Sequence, residues 1–336
     1  MNGKRWAALG IAAALFFVSV MVNFLSAFAF KGVETDLSEL FAATELPFTE
    51  EIIQEGNELK KIVVLDINGV IQDTNDAESL FQSVGYNHQG FMKQLDYIKE
   101  DDTVKGVILK VNSPGGGVVE SAEIHDKLGE IQKETKKPVY ILMGSMAASG
   151  GYYISAGAKK IFASEETLTG SLGVIMQGVN YEGLADKYGV DFVTIKSGQY
   201  KDIMSPTRQM TEEERQILQT MIDNSYEGFV KVISEGRNMT TEQVKKIADG
   251  RIYDGRQAKE LNLIDDFGYL EDVIEKMIDQ ENIKGAKVVR YTDAIGFGSL
   301  FNLKVQKLFG ADSEMAGLMK ILSKPNSPRL MYLYAE

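Results

Sequence analysis

The chain has 336 residues, none of them cysteine, with 36 basic against 48 acidic side chains and a formal net charge of −12. Disulfides, thiolate nucleophiles and cysteine-bound zinc are therefore excluded, and an acidic chain with no block of Lys and Arg interleaved with aromatics lacks the positive field that nucleic acid requires. With 44% hydrophobic and 25% charged residues, the length predicts one large α/β domain with a helical extension.

The first predicted element is an apolar segment. No charged residue occurs in residues 6–30, a run of roughly 37 Å as a helix at ~1.5 Å per residue, which spans a ~30 Å hydrocarbon core with some tilt. Residues 26–29, "SAFA", have the small-x-small look of a processing site, but the run exceeds the ~7 to 15 residues of a signal-peptide core, which favours a single transmembrane anchor over residues 1–31. Lys4 and Arg5 precede the run, and Glu34, Asp36 and Glu39 follow it. The positive-inside bias then predicts a cytoplasmic N-terminus and an extracytoplasmic remainder. Residues 32–60 are acidic and weakly patterned and read as a tether.

From residue 61 onward, short β-rich runs alternate with amphipathic segments. "KIVVLDI", "KGVILKV", "KPVYILM", "KKIFAS", "LGVIM" and "DFVTIK" read as strands. "GFMKQLDYIKEDD", "ESAEIHDKLGEIQKETK", "ASGGYYISAGA" and "YEGLADKYG" read as helices. Such alternation predicts a largely parallel sheet covered by helices, and residues 61–295 are assigned to one catalytic domain. Within it, Thr211 with Glu214 three positions later forms a capping box for a long helix, and a shorter helix starts similarly at Thr240. Residues 211 to about 280 thus form a helical extension packed on the sheet. Residues 296–336 complete the chain and end in the apolar run Leu330, Met331, Tyr332, Leu333, Tyr334. Left in water such a run is awkward, so it is expected as a closing strand of the sheet.

Two stretches carry chemistry. In "VNSPGGGVVESAEIH" a strand runs into three consecutive glycines before a helix; these let the backbone approach a ligand and turn N–H groups toward it, as in a main-chain oxyanion hole. In "MGSMAASGGYYISAGA" a strand runs into Ser149 just before another helix, a near relative of the GxSxG elbow with Ala147 in place of the first glycine. A helix-capping serine and a phosphate-binding loop are the competing readings, but "SPGGG" lacks the Lys-Ser/Thr ending and the GxGxxG spacing. Only His88 and His125 are available as imidazole bases, and His125 falls on an amphipathic helix, so a Ser-His-Asp triad is poorly supported. A lysine serves instead if burial lowers it from about 10.4 to about 7 to 8, roughly 4 kcal/mol of desolvation.

Together with "TGSLGVIM" and "IKSGQYKDIMSP", in this order behind a single N-terminal anchor, these stretches make the chain resemble the short bacterial form of signal peptide peptidase A, a Ser-Lys serine protease family. The resemblance implies a caseinolytic protease/crotonase-like fold of repeated ββα units. It implies Ser149 as nucleophile, Lys201 as general base with Lys196 as a nearby decoy, Gly116 and Gly150 as oxyanion donors, and Ser171 as the residue that orients the lysine. No metal or cofactor is implied. The implied partners are apolar peptide substrates such as remnant signal peptides, the membrane, and further copies of the chain in a homo-oligomeric ring; the apolar tail is a candidate substrate mimic. A crotonase-like acyl-thioester enzyme and a non-catalytic membrane scaffold are the alternatives.

Overall fold

Aliphatic runs buried on both faces set the architecture. In a computed structural model, which describes residues 16–18, 48–73, 86–293 and 330–334, Ile62, Val63, Val64, Leu65 and Ile67 are all fully buried in one strand. Strands covered on both sides in this way belong to parallel sheets. The strands are β1 (Phe48–Gln54), β2 (Asn57–Asn68), β3 (Val104–Ser113), β4 (Gly115–Gly117), β5 (Val139–Ala148), β6 (Lys160–Ala163), β7 (Leu168–Gly170), β8 (Ile252–Tyr253), β9 (Asp266–Phe267), β10 (Ala286–Asp293) and β11 (Met331–Leu333). Nine of them form a sheet whose main path runs β1-β10-β2-β3-β5-β6-β9, with β7 attached to β5 and β8 to β7. The pairings β10–β2, β2–β3, β3–β5, β5–β6, β5–β7 and β6–β9 are parallel; β7–β8 is antiparallel. The expected mixed α/β fold with a large, mostly parallel sheet is therefore present.

Helices α1 (His88–Glu100), α2 (Val118–Thr135), α3 (Gly150–Ala156), α4 (Glu182–Lys187), α5 (Glu212–Arg237), α6 (Thr241–Ile247), α7 (Gly255–Glu260) and α8 (Leu270–Gln280) complete the described elements. On one face of the sheet Val273, Ile274 and Met277 of α8 pack on Ile62, Val64, Ile108, Tyr140, Leu142 and Phe162. Helix α3 packs against α2 and α5, which places the helical extension beside the Ser149 turn. The capping boxes at Thr211 and Thr240 both form.

Four expectations change. Strand β1 lies within the segment read as a tether; only Phe48 of it is buried, so its sequence lacks the apolar alternation that marks a half-buried strand. "LGVIM" makes only an isolated bridge, from Ile175 to Met331. "DFVTIK" forms no strand: it has β-type residues but no ladder partner among the described residues, and Val193 and Ile195 are 87% and 96% exposed. The tail does form a strand, yet β11 joins β4 in a separate two-stranded antiparallel sheet rather than closing the main one. The predicted anchor lies outside the described residues apart from the helical residues 16–18; among the described residues no helix is long and apolar enough to cross a membrane.

One buried cation ties the layers together. The Lys137 ammonium, at the start of the β5 approach, donates to the carbonyls of Ile98 (2.7 Å), Lys99 (3.0 Å) and Asp101 (2.9 Å) at the C-terminal end of α1. It satisfies orphan carbonyls where the helix dipole favours positive charge. Lys137→Met keeps the volume but strands those acceptors, so it is expected to cost about 2–4 kcal/mol, read as a lower urea midpoint at unchanged m value.

Candidate active site

The site grows from the glycine strand β4. Its inner edge is taken up by the segment after β2: Ile71 N–H donates to Gly115 O and Gly117 N–H donates to Ile71 O, both at 2.8 Å. A Cβ on Gly116 would lie 1.8 Å from Ile71 O, so only glycine permits this approach. Ser113 Oγ accepts from Gly115 N–H at 3.0 Å, and Ser121 Oγ donates to Gly117 O at 2.8 Å. The strand is thus held by backbone and short hydroxyls.

Ser149 closes strand β5 and caps α3 with φ 53° and ψ −115°, a conformation that a β-carbon-bearing residue holds only under strain of order 1–3 kcal/mol. Its N–H donates to Gly170 O and its carbonyl accepts from Tyr153 N–H, both at 2.8 Å. These two bonds fix the turn. The side chain is 1% exposed, and its Oγ has no hydrogen-bond partner. A buried hydroxyl without a partner is unusual in a native structure.

Strand β11 occupies the outer edge of β4, with Tyr332 opposite Gly116 and Tyr334 N–H donating to Pro114 O at 2.9 Å. The Tyr332 carbonyl oxygen lies 2.0 Å from where a Cβ on Gly115 would sit and 3.0 Å from one on Gly150, which would itself be 3.1 Å from Gly116 N. The expected oxyanion donors Gly116 and Gly150 therefore flank one peptide carbonyl, next to Ser149. The Tyr332 ring stacks on Tyr153 (centroids 4.8 Å apart), meets Phe229 at 4.7 Å, and its hydroxyl donates to Ser225 O at 3.1 Å. Composition and motif reading missed this pocket. Tyr153 follows directly on "SGG" and Phe229 lies on the buried stripe of α5, but nothing in their spacing pairs them.

The remaining predicted residues divide. Ser171 is buried beside Ser149: it follows Gly170, has φ 50°, and its N–H donates to Arg251 O at 2.7 Å. Lys201 is exposed, in the turn after α4, and is not hydrogen-bonded to Ser149. The first turn of α5 anchors the Lys201 turn through Glu214 and Arg208, while Phe229, about four turns further along the same helix, walls the pocket. Lys196 instead pairs with Asp202 at 2.6 Å. His125 packs edge-on against Tyr153 (5.3 Å), and burial holds its imidazole below its usual pKa. His88 is buried between Tyr86 Oη and Glu123 Oε2, each at 2.7 Å. Neither histidine bonds Ser149. Among the described residues no group of three or more His, Asp or Glu side chains is arranged to hold a metal ion.

A strained serine facing a main-chain cradle that already contains a peptide strand is the working geometry of a serine peptidase. The comparisons with known proteins agree. The family model described as Clp protease matches residues 81–169, and that of Peptidase family S49 matches residues 131–284. The chain is 43% identical over 344 residues to a protein of Enterococcus faecium provisionally named signal peptide peptidase SppA, covering 99% of each. It is 39% identical to a provisionally named protease of Methanocaldococcus jannaschii over 70% of this chain and 75% of the relative. It is 32% identical to Protease 4 of Haemophilus influenzae over 87% of this chain and 49% of the relative. The chain belongs to peptidase family S49 and is a serine peptidase.

The orphaned Ser149 hydroxyl carries a stability signature. Because it makes no hydrogen bond, its removal in Ser149→Ala relieves a desolvated polar group at unchanged backbone strain. That variant is expected to be as stable as the wild type or up to about 1 kcal/mol more stable, checked by comparing urea midpoints of the two proteins.

Proposed function

We propose that this chain is a membrane-anchored endopeptidase that acts outside the cytoplasm on apolar peptides, remnant signal peptides among them, through a Ser149–Lys201 dyad. The observation that carries the reading is β11 lying antiparallel on β4, with the Tyr332 carbonyl at the glycine cradle and its side chain in an aromatic pocket. Substrate strands recognised by main-chain pairing gain affinity from the backbone and selectivity from such pockets. A pocket walled by Tyr153 and Phe229 favours large apolar or aromatic residues. The uncharged residues 6–30 supply the anchor and confine enzyme and membrane-held substrate to one surface, which raises their effective concentration.

In the reaction, neutral Lys201 accepts the Ser149 hydroxyl proton as Oγ attacks the peptide carbonyl. The oxyanion is held by the N–H groups of Gly116 and Gly150. Protonated Lys201 then donates to the leaving amine, the C–N bond breaks, and an acyl-serine remains. Water, deprotonated by Lys201, releases the acid and restores Ser149. Ser171, buried beside Ser149, orients the amine.

On this reading the base reaches the nucleophile from a second copy of the chain. The segment before Lys201 exposes Val179, Tyr188, Val193 and Ile195 at 63%, 79%, 87% and 96%. Apolar exposure on that scale marks an interaction surface. Docking it on a neighbour buries the lysine amine, which favours its neutral form, and a closed ring repeats the contact without leaving a free end.

The test is hydrolysis of an apolar fluorogenic peptide by the full-length protein in detergent. Ser149→Ala and Lys201→Ala are each expected to lose at least about 10³-fold in kcat/KM, while Lys196→Ala and His125→Ala stay within about tenfold. Mixing and reassembling the two inactive variants restores part of the activity if the dyad spans subunits. Full activity of Ser149→Ala overturns the reading. Truncation before Ser327 is expected to lower KM for added peptide, because the tail no longer competes for β4; an unchanged KM would show that the tail is no substrate mimic.

A further inference from the structure

The loop that carries Lys201 is built around a four-charge cluster that no part of the dyad chemistry requires. Arg208 makes a bidentate pair with Asp202, Nε to Oδ2 at 2.9 Å and Nη2 to Oδ1 at 2.7 Å, and also donates to the Asp202 carbonyl at 3.1 Å. Its Nη1 donates to Glu214 Oε2 at 2.8 Å, and its Nη2 also bonds Glu214 Oε1. Lys196 donates to the same Asp202 Oδ1 at 2.6 Å. Glu214, whose side chain is 2% exposed, is itself fixed by the capping box, accepting from Thr211 N–H at 2.9 Å. The Arg208 and Lys196 partners hold the Asp202 carboxyl far below the usual range, and Arg208 with Thr211 does the same for Glu214. Both carboxyls are therefore ionised at neutral pH, and two basic side chains face two acidic ones.

A carboxylate one residue from a general-base lysine is a hazard. Left free, Asp202 would stabilise the ammonium form and keep Lys201 protonated when the reaction needs it neutral. Two cations occupy that carboxylate instead, and Arg208 pins its backbone carbonyl, which fixes the turn from which Lys201 projects. The other ionisable groups around the turn are similarly engaged. Glu213 bonds Gln199 and Tyr200, and Glu212 faces Arg215. Next to Ser171 in the β7–β8 pair, Arg251 is ion-paired with Asp249.

We propose that Arg208 is a positioning residue for the reaction: it sequesters Asp202 from Lys201 and clamps the Lys201 turn to the N-terminus of α5. The inference rests on the dyad reading above. It deepens that reading by assigning control of the base to a cluster that touches neither substrate nor Ser149.

The experiment measures kcat/KM against pH for full-length wild type, Arg208→Ala, Asp202→Asn, Arg208→Ala with Asp202→Asn, Arg208→Lys and Lys201→Ala, with melting temperature and oligomeric state recorded for each. The acidic limb reports the proton that the base must lose. Arg208→Ala leaves the cluster one charge more negative, and its limb is expected to move to higher pH. Asp202→Asn leaves it one charge more positive and moves the limb to lower pH. The double variant and Arg208→Lys, both neutral overall, return it to the wild-type position. A unit charge about 6 Å away predicts shifts of about 0.5 to 2 pH units. A loop with a merely structural role would lower kcat without opposite shifts, so limbs that stay fixed or move in the same direction overturn the proposal. Should Arg208→Ala fail to assemble, Asp202→Asn against Arg208→Lys still decides the sign. Wild-type activity in Lys201→Ala refutes the dyad itself; an inactive Lys201→Ala with unmoved limbs refutes only the role of Arg208.

Discussion

The site depends on a strand of three glycines that is hydrogen-bonded along both edges. Ile71 takes the inner edge of β4 and β11 takes the outer one. Neither approach survives a side chain at the closest points, since a Cβ on Gly116 would fall 1.8 Å from Ile71 O and one on Gly115 would fall 2.0 Å from Tyr332 O. Catalytic hydrolases stabilise an oxyanion by presenting N–H groups already in place, so that no reorganisation is needed as charge develops. Here the preorganisation comes from the sheet. Strands β3 and β5 run parallel and adjacent, and their ends bring Ser113 alongside Ala147, so the glycine strand leaving one and Ser149 leaving the other begin as neighbours.

Helix α5 links this geometry to the turn of Lys201, the proposed base. Its C-terminal half contributes Phe229 and the Ser225 carbonyl to the pocket, and its first turn holds Arg208 and, through it, the turn of Lys201. A continuous helix of this length is a spacer as much as a wall. The pocket and the turn of Lys201 thus contact opposite ends of one helix. On the proposed reading, neither Ser149 nor Lys201 is activated until a second copy docks, which confines proteolysis to the assembled state at the membrane.

Much of this was legible in the residues. The strand and helix alternation from Ile62 to Phe162, the capping boxes at Thr211 and Thr240, and the serine and glycine turns were readable because each is a local pattern with a local cause. What escaped has a nonlocal cause. "DFVTIK" carries strand propensity yet no partner strand among the described residues, so periodicity alone could not tell an unpaired segment from a sheet strand. The tail's apolar run was correctly read as needing cover, but its partner is β4 rather than the main sheet, a choice set by the open glycine edge and by the pocket that accepts Tyr332. Tyr153 and Phe229 come from elements about seventy residues apart and meet only through the packing of α3 on α5. The Arg208 cluster was only partly visible: Lys196 was read as a neighbour of Lys201, but the arginine that engages Asp202 was not singled out.

On the proposed reading, placing the base on an exposed loop raises an electrostatic problem that a buried base does not have. The chain is acidic overall, and a free carboxylate near a general-base lysine favours the charged form. Removing that bias by distance would require a longer loop and would loosen the geometry on which proton transfer depends. Pairing Asp202 and Glu214 with Arg208 removes their share of the bias without lengthening the loop. Arginine suits the task better than lysine because its planar fork engages Asp202 and Glu214 at once and keeps its charge at every working pH. On the proposed reading, the apolar residues that precede Lys201 supply the contact, the ion cluster supplies a neutral surround, and the chemistry falls to Lys201, which makes no ion pair with a carboxylate among the described residues.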